Sequence, residues 1–256
     1  MKTAIVIPAR YGSQRLPGKP LLKATGKYLI QHVYERACQA KLASEVVVAT
    51  DDPRILAAVE GFGGKALMTG REHPSGTDRI AEVAAKLDAD IVVNLQGDEP
   101  LIEPKSLDLL PKLLQEDPNA DLATLAVPLR SLEQWRNPNC VKVVCDRRGR
   151  ALYFSRSPIP HVRDGEPRFH DDPPIFLQHL GLYAYRRSVL FHIASSPPAP
   201  MEKAEKLEQL RAMALGYRIQ VGIVEQASIG VDTYEDYERF VKLSRQTVKK
   251  CVVQAA

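Results

Sequence analysis

Between Pro8 and Pro20 the sequence sets Arg10, Arg15 and Lys19 among two glycines, Gly12 and Gly18, and three prolines. Glycine lets a backbone come close to an oxyanion, and guanidinium and ammonium groups neutralise phosphate charge. The segment therefore has the chemistry to hold a triphosphate and to stabilise a departing pyrophosphate. It follows an apolar run, Thr3 to Ile7, and so stands at the carboxyl end of an expected strand, where open α/β sheets bind ligands. Two familiar phosphate loops do not fit it. There is no G-x-G-x-x-G, and Gly18-Lys19 lies one residue too far from Gly12 and precedes Pro20 in place of Ser or Thr. The same composition also marks an ordinary solvated turn.

A second apolar run ends in Asn94-Leu-Gln-Gly-Asp-Glu-Pro100, which puts Asp98 and Glu99 at another strand's carboxyl edge. Magnesium takes one or two carboxylates together with phosphate oxygens and water. A further acid, Asp232, sits in Gly230-Val-Asp-Thr-Tyr-Glu-Asp236, as a metal ligand or as the N-cap of the helix that follows. His73-Pro-Ser-Gly-Thr-Asp-Arg79 is a turn into a helix, whose backbone N–H groups suit an anion or a base edge, with Thr77 or Asp78 as alternative caps. Ala49-Thr-Asp-Asp-Pro53 closes a strand in the same manner, its acids serving as ribose contacts or as caps.

These segments need elements to carry them. Short runs rich in β-branched residues, Thr3 to Ile7, Glu45 to Ala49 and Asp90 to Leu95, predict buried parallel strands. Ile80, Val83, Ala84 and Leu87 fall on one helical face, as do Leu107, Leu110 and Leu114 after Pro104. Strand and helix in alternation imply a wound α/β sheet. Beyond residue 120 strands are expected at Ala123–Val127, Val141–Cys145 and Ala151–Phe154, an exposed loop from Ser157 to Pro174, a helix around Leu207, Leu210 and Ala214, a strand at Arg218–Val224 and a polar helix from Tyr234.

The chain of 256 residues is 45% hydrophobic and 26% charged, which argues against disorder and against a fibrous class. Its net charge of +4 is spread along the sequence, and with aromatics at 6% no stacking surface for nucleic acid is evident. Cys38, Cys140, Cys145 and Cys251 form no C-x-x-C pair, which argues against a zinc ribbon or a redox motif and for reduced thiols. The first apolar run is too short for a signal peptide and no run reaches the length of a membrane span, so a cytoplasmic protein without membrane insertion is expected.

Taken in order, Pro8 to Leu21, Ala49 to Asp52, Ser75-Gly-Thr-Asp-Arg79, Asn94 to Pro100, Tyr153-Phe-Ser-Arg156, His179-Leu-Gly-Leu-Tyr183, Leu207-Glu-Gln-Leu-Arg211 and Gly230-Val-Asp-Thr233 resemble the 3-deoxy-manno-octulosonate cytidylyltransferases over nearly the whole chain. The resemblance implies a Rossmann-like, glycosyltransferase-A-like nucleotidyltransferase: a mixed sheet flanked by helices with a smaller sugar-binding and dimerisation subdomain. It implies one domain over 1–256, with a nucleotide-binding part at about 1–130 and 215–250 and a sugar-binding, dimerising part at about 131–214. It also implies transfer of CMP from CTP to 3-deoxy-D-manno-octulosonate for lipopolysaccharide synthesis, with Mg2+ as cofactor and a homodimer as the assembly.

By the same match Arg10, Ser13 and Lys19 hold the triphosphate, Ser75, Gly76 and Gln96 enclose the cytidine, and Asp98 and Asp232 bind metal. Arg10, Lys19, Asp98 and Asp232 form the implied catalytic set. Arg156, His179, Tyr183, Glu208 and Gln209 are the implied sugar ligands, with Arg156 suited to the sugar carboxylate. Gly12, Tyr234 and the Ala-Ser-Ile-Gly approach to Asp232 depart from the family pattern. A cytidylyltransferase for another acidic sugar and a non-catalytic nucleotide or nucleic-acid binder are the competing readings.

Overall fold

The computed structural model describes residues 1–12 and 15–254, with residues 247–254 described by backbone alone. The chain runs through β1 (Thr3–Ala9), α1 (Leu29–Ala37), β2 (Glu45–Thr50), α2 (Pro53–Gly61), β3 (Ala66–Met68), α3 (Gly76–Ala84), β4 (Ile91–Asn94), α4 (Pro104–Glu116) and β5 (Leu122–Pro128). It continues through α5 (Leu132–Arg136), β6 (Lys142–Cys145), β7 (Ala151–Ser155), β8 (Leu177–Arg186), α6 (Arg187–Ser195), α7 (Pro200–Glu205), α8 (Gln209–Ala214), β9 (Ile219–Ile223) and α9 (Tyr234–Gln254). The fold is α/β, a mixed sheet flanked by helices, as the alternating patterns predict. Two compact units divide it.

The first unit comprises Ala4–Asp88, Asn94–Lys105 and the chain from Ser228. Its strands lie in the order β3-β2-β1, all parallel, with Ile5 opposite Val46 and Val48 opposite Ala66. Ala4 to Ile7 and Val47 to Ala49 are fully or almost fully buried, which is why these strands read as unbroken apolar runs and not as alternating ones. On α1 the buried residues Leu29, Ile30, Val33 and Ala37 share one stripe. Leu29 joins Leu16, Val231, Tyr237, Phe240 and Val241 in a cluster that packs α9 against α1, the loop after β1 and the loop before α9.

The second unit comprises Met1–Thr3, Ala89–Val93 and Ser106–Ala227. Here β5 pairs antiparallel with β8 and parallel with β9, and the β6–β7 hairpin joins β8 through β6. β5 and β9, grouped with the nucleotide-binding part in the sequence reading, thus hydrogen-bond beside the strand that carries His179 and Tyr183. The segment from Ser157 to Pro174 has neither helix nor strand, yet Val162 and Phe169 pack on the cluster of Leu129, Trp135 and Phe176, and the Trp135 indole donates to the Ile159 carbonyl at 3.2 Å. The apolar anchors explain why a charged, Pro-rich loop follows one path. The expected elements formed within a residue or two of their expected ends, except that α3 stops at Ala84, three residues before Leu87. The sequence reading did not single out β3, β8 or helices α1, α2, α5, α6 and α7.

Candidate active site

Lys19 opens a 3-10 turn, Lys19–Leu21, behind Gly18, whose φ of 65° is left-handed and whose amide donates to the Tyr11 carbonyl at 3.0 Å. Leu16 anchors the same loop in the first unit's core. The Lys19 ammonium is thereby turned among three oxygens: Asp98 Oδ2 at 2.6 Å, the Val231 carbonyl at 2.9 Å and Asp232 Oδ1 at 3.4 Å. Arg15 adds a contact to Asp232 Oδ1 at 3.2 Å. Arg10 stands exposed just beyond β1.

Two constraints bring the acids together. A Cβ on Gly97 would meet the Pro8 carbonyl oxygen at 2.8 Å, so only glycine lets the loop after β4 lie this close to β1. The Val231 amide then donates to the Asp98 carbonyl at 2.8 Å and ties that loop to the one bearing Asp232. Thr233, not Asp232, caps α9: its amide and hydroxyl donate to Asp236, and the Asp236 amide donates back to its hydroxyl. The Asp232 carboxylate is left to face cations. An all-oxygen set of two carboxylates and a carbonyl that already surrounds one point charge suits a hard cation. Among the described residues no group of three or more His, Cys, Asp or Glu side chains is placed to hold a metal, so these two carboxylates would need substrate phosphates or water to complete a shell. Burial pushes the neighbouring Glu99 carboxyl up to about 7, with Asp98 and Asp232 adding to the rise.

Ser75 is the N-cap of α3, forming a capping box with Asp78, so the hydroxyl of Ser75 is already bonded within the helix end. Gly76 is the first helical residue, and Gln96 donates to Asn94 Oδ1 at 3.2 Å. Behind this turn Arg79 is fully buried, bonded to the Asp51 carboxylate at 2.7 Å and to the Thr69 hydroxyl, which joins α3 to the ends of β2 and β3. His73 at 2.6 Å, aided by the Gly70 amide, holds Glu82 down to about 2. Asp52 caps α2, accepting from the Arg54 amide. Ser13 lies outside the described residues.

In the second unit the β5–β8 register slips between Thr124 and Leu125, so that Thr124 faces Tyr183 while Leu125 faces Leu180. Residues four apart on an unbroken strand stand roughly 13 Å apart. Across this bulge the His179 and Tyr183 rings lie 5.4 Å centre to centre. Thr124 Oγ1 donates to the Leu182 carbonyl at 2.7 Å and so accepts from His179 Nε2 at 3.0 Å, which assigns the proton to Nε2. Burial pulls the His179 pKa down to about 3, so the ring is neutral near pH 7. Burial also raises the Tyr183 hydroxyl well above its usual range, with Tyr185 and Glu208 contributing. Gln209 is buried, and Glu208 is half-buried. The Arg156 guanidinium is turned to three carbonyls, Glu205 at 2.7 Å, Pro138 at 3.0 Å and Lys206 at 3.4 Å.

Residues 4–220 match the family model described as Cytidylyltransferase. A protein of Syntrophobacter fumaroxidans named 3-deoxy-manno-octulosonate cytidylyltransferase is 53% identical over 249 residues, which cover 96% of this chain and 98% of that one. The chain belongs to the 3-deoxy-manno-octulosonate cytidylyltransferase family. A solved structure of CMP:2-keto-3-deoxy-manno-octonic acid synthetase complexed with CTP is 50% identical and superposes with a TM-score of 0.89, covering 96% of this chain and 100% of the other. A cytidylyltransferase from Leptospira borgpetersenii, at 21% identity and a TM-score of 0.62 over 99% of this chain and 96% of its own, shares the fold.

In this member of the octulosonate cytidylyltransferase family, the structure gathers Lys19, Asp98 and Asp232 at one point of the first unit and places Ser75, Gly76 and Gln96 in the same unit. Arg156, His179, Tyr183, Glu208 and Gln209 all fall in the second unit. The sequence reading counted Arg15 among the loop's phosphate-neutralising cations without foreseeing its contact to Asp232, and gave Arg79 no role. A cation amid the apolar stripe of α3, one helical turn before buried Val83, was the signal for Arg79.

Proposed function

We propose that this chain transfers CMP from CTP to 3-deoxy-D-manno-octulosonate, yielding CMP-3-deoxy-D-manno-octulosonate and pyrophosphate and activating the sugar for lipopolysaccharide synthesis. Family membership supports the reaction. The observation that carries it to particular residues is the Lys19 ammonium among Asp98, Asp232 and the Val231 carbonyl, at the mouth of a cationic loop.

The acceptor's anomeric oxygen attacks the α-phosphorus in line; its bond to phosphorus forms as the bond to the bridging oxygen of the β-phosphate breaks. The acceptor hydroxyl gives its proton to solvent water, and pyrophosphate leaves with the electron pair. Arg10, Ser13 and Lys19 bind the triphosphate, and Lys19 with Arg10 stabilises charge on the leaving group. Ser75, Gly76 and Gln96 enclose the cytidine, Gly76 through its backbone because the Ser75 hydroxyl is engaged in its cap. Asp98 and Asp232 would hold Mg2+, which when bound would supply Lewis-acid charge and make the acceptor hydroxyl more acidic. His179 is neutral and fixed by Thr124, which suits a hydrogen-bond partner of the sugar better than a general base. Arg156, Tyr183, Glu208 and Gln209 complete the acceptor side.

A cytoplasmic location fits the need for CTP; among the described residues no helix is long and apolar enough to cross a membrane. We also propose a homodimer formed through the second unit, where Leu152, Ile175 and Met201 are exposed large apolar side chains. Sedimentation equilibrium should give twice the chain mass, and a monomer at micromolar concentration would refute it.

Pyrophosphate release by purified protein with CTP, magnesium and octulosonate tests the whole reading, with ATP, UTP and N-acetylneuraminate in parallel. Turnover with CTP and octulosonate alone is expected. Turnover only with another sugar acid would leave the nucleotide half standing and overturn the acceptor; absence of CTP binding would overturn both.

A further inference from the structure

We propose that the turn leading from α7 into α8 is a pre-organised acceptor-selecting element, and that Glu205 and Arg211 are positioning residues that clamp it from either side. The inference rests on the reading of Glu208 and Gln209 as acceptor-binding residues.

On one side the Glu205 carboxylate accepts from the Ser155 hydroxyl at 2.6 Å and from the Arg156 amide at 2.9 Å. Arg156 returns its guanidinium to the carbonyls of Glu205 and Lys206. Lys142, with no exposed surface, holds the Arg156 carbonyl at 2.6 Å and the Asn137 carbonyl at 2.9 Å, so the chain of contacts is anchored in the interior. On the other side Arg211 grips both oxygens of Glu202, Nη2 at 2.6 Å and Nε at 2.9 Å, and its Nη1 reaches the carbonyls of Ser196 and Ile193 at 3.2 and 3.3 Å. Both members of this forked pair are buried, the condition under which such geometry is held most firmly.

Between the clamps Lys206 takes a left-handed conformation with φ 54°, which no other non-glycine residue among those described adopts. A lysine has no intrinsic preference for that region and stays there because its surroundings hold it. The result is a fixed approach to Glu208 and Gln209. Gln209 is buried, and its Nε2 has no hydrogen-bond partner among the described residues. A buried donor of this kind costs free energy unless something accepts from it, and an acceptor hydroxyl or carboxylate oxygen is the chemistry that would. Hydroxyl readout requires placement within about 0.5 Å, which two hydrogen-bonded clamps on a short turn, one of them an ion pair, provide.

Glu205→Gln keeps the shape but offers one acceptor to two donors, and Arg211→Lys keeps the charge but loses the fork. In each variant the KM for octulosonate should rise about tenfold, with kcat at saturation and CTP affinity within about twofold of the parent protein. Discrimination between octulosonate and its 4-epimer should fall by a similar factor, which a merely structural lesion would not produce. Amide hydrogen exchange over residues 206–210 should accelerate in both. Unchanged octulosonate KM and unchanged discrimination in folded variants would overturn the proposal, as would a loss of CTP affinity equal to the loss for the sugar. If the parent protein binds CTP but does not turn over octulosonate, the acceptor reading fails on its own, and the exchange rates then decide the clamp: no acceleration refutes it.

Discussion

Lys19 owes its place to a left-handed glycine before it and a buried leucine three residues earlier, and its environment is two carboxylates and a carbonyl. On the proposed reading its removal takes a positive charge from the triphosphate, and it leaves the Asp98 and Asp232 carboxylates without the ammonium between them. A lost charge-assisted contact costs about 1.5–3 kcal/mol, so Lys19→Ala should lower kcat/KM for CTP roughly ten- to a hundredfold in the pyrophosphate assay. A change under about twofold would remove the cationic loop from the chemistry. Asp98→Asn keeps size and hydrogen bonding but halves the carboxylate charge at this point. Turnover should fall below detection while far-ultraviolet circular dichroism stays that of the parent protein, and near-normal turnover would refute the assignment.

At the scale of elements, the decisive features are places where backbone meets backbone. The loop after β4 reaches β1 only because Gly97 has no side chain. A Cβ there must displace the Pro8 carbonyl or the loop, an overpacking of the kind that costs about 1–3 kcal/mol. Gly97→Ala should therefore lower the urea midpoint and, because Asp98 is the next residue, lower kcat as well. A variant with parent stability and parent kcat would show that the close approach has no part in aligning Asp98. The β8 bulge has a comparable effect in the second unit, bringing His179 and Tyr183 into ring contact that a regular strand would forbid.

For the molecule as a whole, buried His179 links stability to pH. Its folded pKa of about 3 lies below the ordinary 6.5, so between those values the unfolded chain binds a proton that the folded chain refuses. Stability from this group is complete above pH 6.5 and is lost as the pH falls toward 3, with a slope of at most about 1.4 kcal/mol per pH unit. Glu82, held down to about 2, adds a loss in the same direction below its ordinary 4.5. Glu99, raised to about 7, works in the opposite direction between 4.5 and 7, so the variant isolates the histidine: in urea unfolding from pH 7 to 4.5 the parent protein should lose stability relative to His179→Asn as the pH falls, since asparagine keeps a polar side chain but does not titrate there. Equal slopes would mean that the ring takes up its proton while folded.

The amino-acid sequence alone determined the strands buried on both faces, because a parallel strand covered on each side must be apolar throughout, and the amphipathic helices α3 and α4, whose stripes repeat every three to four residues. It also determined the family, since eight ordered motifs leave little room for another. It placed Lys19, Asp98 and Asp232 at loop ends without saying that they meet. That meeting depends on a close approach of Gly97 to Pro8 and a hydrogen bond from Val231 to Asp98, contacts between segments far apart in the chain for which local pattern carries no signal. For the same reason local pattern left Asp232 between ligand and cap, and the capping box of Thr233 with Asp236 removes the cap reading. The family resemblance assigned Arg156 to the sugar carboxylate, but no local pattern could show that its guanidinium also lies against the carbonyls of Glu205 and Pro138; which partners a long side chain meets depends on what the tertiary structure brings within its reach.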